Sequence, residues 1–147
     1  MTAEQLDQGF FRLFRLRGVL DPTSAIPGLG ASVSEVMALA RLQEGGMTQQ
    51  DLGTYLGLEK STVSRLVDAM IDKGWVDQVR DPQAPRFKTI RLTAAGRRAA
   101  RSVGKAMHRR HENMLDGLSA QEASTLIKGL NILVDALERE AERANSH

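Results

Sequence analysis

Residues 61–65 read Ser-Thr-Val-Ser-Arg, three short hydroxyls beside one guanidinium. Ser61, Thr62, Ser64 and Arg65 alternate with Val63, Leu66, Val67, Met70 and Ile71, whose spacing is that of an amphipathic helix. One face of such a helix packs and the other offers hydrogen-bonding groups on short stems. Hydroxyls both donate and accept, and an arginine fork matches paired oxygens or paired acceptors on a heterocycle edge. The free N–H groups of a helix N-terminus add affinity for anions. The chemistry on offer is reversible recognition of a polyanion. A packing helix with a solvated face is the simpler alternative, and the neighbouring elements decide between the two.

Counting from Gln49, position five is Gly53, nine is Gly57, fifteen is Val63 and eighteen is Leu66. Two helices that cross steeply need a minimal residue where their backbones meet, which Gly53 supplies. The tight turn between them needs positive φ, which Gly57 adopts without steric cost. Val63 and Leu66 then pin the second helix onto the first. These requirements match a helix-turn-helix, which presents its second helix to the major groove of DNA. Arg65 is then placed to reach a guanine edge or a phosphate. Asp68, three residues on, is expected at the rim, where it could orient Arg65.

After Gly74 the period changes. "WVDQVR" (75–80) and "RFKTIRL" (86–92) read as strands, joined by a proline-containing turn. A hairpin directly after a recognition helix is the winged form of the motif. Arg86 stands at the turn, where a narrow minor groove would attract it. Arg80 and Lys88 lie nearby and could meet phosphates, as could Lys60 at the helix start.

Upstream, residues 3–20 carry Leu6, Phe10, Phe11, Leu13, Phe14 and Leu20 as an amphipathic helix, and 21–30 read as a loop. Ser32 with Glu35 forms a capping box ahead of a short helix that Gly45-Gly46 ends. Downstream, Thr93 caps a long helix. Ser119 with Glu122 caps a last one carrying Leu126, Ile127, Leu130, Leu133, Val134 and Leu137. The expected fold is mainly α with a small β-hairpin wing. A winged helix-turn-helix over 32–92 is flanked by N- and C-terminal dimerisation helices, 3–20 and 93–144, in a single domain of residues 1–147. The outer helices carry broad apolar stripes that a chain of this size would struggle to cover alone.

Charge supports this division. Residues 60–110 hold 13 of the 20 Lys and Arg but only 4 of the 18 Asp and Glu, for a net +9 inside a chain of +2. A basic middle between acidic flanks suits a polyanionic partner. The absence of cysteine excludes disulfides and thiolate metal sites. No apolar run has the ~18 residues of a membrane helix, and the polar start lacks a signal peptide's pattern, so a cytoplasmic location and no membrane partner are expected. There is no nucleophile elbow, phosphate-cradling loop or paired acid/base motif, so neither an enzyme nor a cofactor is expected. His108, His111 and Glu112 lie close together on one helix. The solvated-face reading is preferred there, and no metal is assigned.

The stretch "MTQQDLGTYLGLEKSTVSRLVDAMIDKGWVDQVRDPQAPRFKTIRLTAAG" resembles the core of the MarR family of bacterial transcriptional regulators. Its marks are L-G-L-x-K-S-T-V-S-R-L-V-D, G-W-V and a D-P wing closing on L-T-x-x-G. The family pattern has Asp and Arg in the wing where this sequence has Ala84 and Pro85, so only Arg86 remains of that group. The resemblance implies a homodimer that binds a palindromic operator, with recognition helices ~34 Å apart. It implies a repressor released by a small aromatic or phenolic acid. Phe10, Phe14, Arg15, Met37 and Trp75 are the candidate lining for that effector, although each is also explained as core or surface. The alternative is a winged-helix adaptor that binds protein rather than DNA.

Overall fold

The computed structural model describes residues 2–17, 30–80, 82–84 and 86–146. In chain order it contains α1 (Ala3–Arg17), α2 (Val33–Leu42), β1 (Met47–Thr48), α3 (Gln49–Leu56) and α4 (Lys60–Asp72). These are followed by β2 (Val76–Arg80), β3 (Lys88–Leu92), α5 (Ala94–Asp116) and α6 (Ala120–Asn145). Residues 18–20 of the expected first helix, most of the expected 21–30 loop, and Pro85 and His147 lie outside the described residues. Among the described residues no helix is long and apolar enough to cross a membrane.

The local signals in the sequence produce the ends they imply. Ser32 accepts from the Glu35 N–H while the Glu35 carboxylate accepts from the Ser32 N–H, at 3.2 and 2.8 Å. Ser119 and Glu122 repeat the arrangement at the start of α6. The hydrogen bonds from Ser119 hold the Glu122 carboxyl below its usual pKa. Thr48 accepts from the Asp51 N–H, and Thr93 accepts from the Gly96 N–H. Gly57 ends α3 at φ 65°, and the Leu58 N–H closes onto the Gly53 carbonyl at 2.9 Å.

The chain divides into two compact units, residues 1–107 and 108–147. In the first, Val36, Leu39, Leu42, Leu52, Val63, Val67, Met70, Ile90 and Leu92 form one buried core with Ala100 and Val103 of α5. This core welds α2, α3, α4 and the sheet together and so fixes the outward face of α4. No residue of α1 is buried. In the second unit α6 likewise buries nothing and leaves Ile127, Leu130 and Ile132 more than half exposed.

The sheet contains the expected hairpin and adds a third strand to it. Its order is β1-β3-β2, all antiparallel, with Met47 opposite Ile90 and Thr48 opposite Thr89. Two residues are too few to display an alternating pattern. The second edge of β3 nevertheless leaves backbone groups that Met47 and Thr48 satisfy. In the hairpin itself Asp77 faces Arg91, and Nε donates to Oδ1 at 2.8 Å. That hydrogen bond, and then the carboxylate's charge, raises the pKa of Arg91.

One buried charge had no local signal. Glu35 is 5% exposed, and both of its oxygens accept from Lys73 Nζ at 2.8 Å. Lys73 also donates to the Gly30 carbonyl and lies over the Trp75 ring, 4.6 Å from its centre. The pair ties the start of α2 to the end of α4, 38 residues away in sequence.

Candidate nucleic-acid interface

Gly53 is buried, and a Cβ built on it would stand 3.2 Å from Val63 Cγ1. The absence of that carbon lets α3 and α4 approach as the sequence predicts. Val63, Leu66, Val67 and Met70 face the core, so the opposite side of α4 faces outward. Lys60, Ser61 and Arg65 are exposed there, and Thr62 and Ser64 are half-buried. Arg65 Nη2 donates to Thr62 Oγ1 at 3.5 Å, one turn back towards the N-terminus. The expected orienting role of Asp68 thus passes to Thr62, because the arginine side chain leans in the N-terminal direction along the helix. Glu59 precedes α4 without a side-chain cap, so no side chain of that residue covers the first-turn N–H groups.

Two clefts join this helix to the wing. The first, of about 450 Å³, is lined by Gln49, Gln50, Gly53, Thr54 and Lys60 among others. The second, of about 360 Å³, runs from Gln49 and Gln50 to Gln78, Arg86, Phe87 and Lys88. The N-terminus of α3 therefore stands between the start of α4 and the wing, with Gln49 and Gln50 on both sides of the division. Sequence reading missed these two glutamines. Their only signal is a position two and three residues after the strand residue Met47, which needs the sheet to become visible.

On the hairpin Arg80 pairs in register with Lys88, so two cations stand opposite each other at the wing's outer end. Like charges in that position destabilise a sheet, and an anion between them would relieve the repulsion. Arg86 is exposed beyond them, and Phe87 is held by its N–H to the Ala84 carbonyl at 2.9 Å. The geometry offers one surface with an open helix end, hydroxyls, amides and five cations. This is the chemistry of duplex recognition, with phosphates positioned by cations and base edges read from a helix.

Comparison with known proteins gives the same answer. A family model described as MarR family matches residues 29–86. Over that stretch the chain is similar to the MarR family. It is 28% identical over 138 residues to the uncharacterized HTH-type transcriptional regulator YdgJ of Bacillus subtilis, covering 91% of this chain and 79% of that protein. The crystal structure of the PcaV transcriptional regulator from Streptomyces coelicolor, in complex with its natural ligand, is 29% identical with a TM-score of 0.58. It covers 92% of this chain and 90% of that one. Wild-type apo MarR from E. coli is 20% identical with a TM-score of 0.69, covering 90% and 97%, and so shares the fold. The matched family and these relatives are transcriptional regulators, and the chain is a DNA-binding transcriptional regulator similar to them.

The candidate effector residues fall in different settings. The rings of Phe10 and Phe14 pair on α1 with centres 5.7 Å apart. A surface cavity of about 280 Å³ is lined by Phe11, Arg12, Phe14 and Arg15. Met37 is exposed on α2, whereas Trp75 packs against the winged core under Lys73. His108 Nε2 lies 3.2 Å from Glu112 Oε1. Among the described residues no group of three metal-ligating side chains converges.

Proposed function

We propose that the protein is a cytoplasmic homodimeric repressor that binds a palindromic operator and is released by a small aromatic or phenolic acid. The observation that carries the DNA reading is the continuity of the α4 face with the cationic wing through Gln49 and Gln50. Ser61, Thr62, Ser64 and Arg65 enter the major groove. Lys60, Arg80 and Lys88 hold phosphates, and Arg86 enters the flanking minor groove. The homodimer is supported by the exposed apolar residues of α1 and α6, among them Phe11, Leu16, Ile127 and Ile132. A second copy of the chain would cover them. An effector is supported by the natural ligand of PcaV, and Phe10, Phe14, Arg15, Met37 and Trp75 are the side chains proposed to meet it.

Affinity for a duplex is expected to fall roughly 10³-fold or more between 50 and 200 mM salt as phosphate-bound counterions are released. Fluorescence anisotropy across that range checks it, and an adaptor without DNA affinity would show no such slope. Arg65→Ala should cost about 1–3 kcal/mol on the best operator and relax specificity at one base pair. Equal weakening on all duplexes would make Arg65 a phosphate contact. Arg86→Ala should weaken binding most where A·T-rich sequence flanks the half-sites. Indifference to the flanks would reject minor-groove insertion.

A further inference from the structure

A second concave cationic surface lies at the end of β3 away from the wing turn, and the DNA reading does not use it. Arg91, Arg97 and Arg101 line a cleft of about 360 Å³ together with Gln43, Gly45 and Gly46. Arg97 and Arg101 are four residues apart on α5 and so project from the same face. Arg97 Nη1 donates to the Leu92 carbonyl at 3.1 Å, which steadies the guanidinium and leaves its other N–H groups for the cleft. Arg91 is steadied in turn by Asp77.

The opposite wall is backbone. A Cβ on Gly46 would come within 2.7 Å of Thr89 Cγ2 and 3.1 Å of the Ile90 carbonyl, so this turn is pressed against β3 without a side chain. Among the described residues none that lines the cleft is acidic. Glu44, in the adjoining turn, is 3.5 Å from Arg41. Arg97 and Arg101 repel each other beside the Asp77-paired Arg91, and an oxyanion with several oxygens offsets that cost through paired hydrogen bonds.

We propose that this cleft binds a small multivalent oxyanion, presented as a phosphate group or as clustered carboxylates. Such a ligand would link the turn after α2, the end of β3 and the first turns of α5.

The test uses the full chain in two titrations, one with sodium phosphate and one with sodium citrate, each against sodium chloride at matched ionic strength. Amide shifts are followed by heteronuclear NMR. Saturable shifts centred on Gly45, Gly46 and Arg97 are expected with at least one of the two anions. Phosphate alone assigns the ester class, and citrate alone assigns the polycarboxylate class. Arg101→Gln, which leaves the Arg97–Leu92 contact in place, should weaken that binding by about tenfold or more. The proposal is overturned if chloride reproduces the shifts or if Arg101→Gln leaves the titration unchanged. It is equally overturned if Arg101→Gln abolishes duplex binding in phosphate-free buffer, since the arginine would then belong to the DNA surface.

Discussion

Replacing Gly96 by alanine is expected to lower the melting temperature by about 10 °C, a loss of about 4 kcal/mol. A Cβ built on Gly96 would sit 1.8 Å from the Trp75 carbonyl oxygen and 2.8 Å from its carbon. That carbonyl also accepts the Thr93 N–H at 3.0 Å, and the Thr93 hydroxyl caps α5 through the Gly96 N–H. The added carbon therefore meets the Trp75 backbone, which no side-chain rotation can move aside. Either α5 lifts off the sheet or the turn after α4 gives way. Gly104, on the same helix, has nothing within 4 Å of an added Cβ. Gly104→Ala should be neutral or stabilise by up to about 1 kcal/mol through helix propensity alone. Thermal melts of the two variants separate close approach from propensity. Similar melting temperatures would contradict the packing described for α5.

Lys73→Ala should cost about 3 kcal/mol, because it leaves the Glu35 carboxylate buried with the Ser32 N–H as its remaining described donor. Lys73 itself is 36% exposed, which places the cost at the lower end for a broken buried pair. Adding Glu35→Gln to Lys73→Ala should recover part of the loss, because a neutral amide can still accept from Ser32 and carries no uncompensated charge. Chemical denaturation of both single variants and the double variant should give a coupling energy of about 2 kcal/mol. Strict additivity would show that the ion pair contributes little beyond its separate parts.

These two expectations mark where sequence reading stops. The features it anticipated are local: Gly53 and Gly57 at fixed spacing, the Ser32–Glu35 and Ser119–Glu122 boxes, and the apolar face of α4. Each depends on residues within a turn or two of one another, so periodicity and capping chemistry expose it. The Glu35–Lys73 pair joins residues from two helices, and Glu35 already had a sufficient local explanation as a cap. Gly96 reads as an ordinary residue of α5 until Trp75 is folded beneath it. The strand Met47–Thr48 exists because β3 has an open edge, which is a property of the sheet rather than of those two residues. Gln49 and Gln50 join the site for the same reason. The outward side chains of α4 and the wing that are proposed to meet DNA were nameable in advance because outward placement follows from which residues the core takes.

The central claim is that α4 reads bases while the wing holds the backbone, twice over in a symmetric complex. Selection of bound duplexes from a random pool tests it most directly. The expected result is an enriched inverted repeat whose half-site centres lie about one helical turn, ~34 Å, apart. Recovery of unenriched sequence, or of a single unrepeated site, would contradict it.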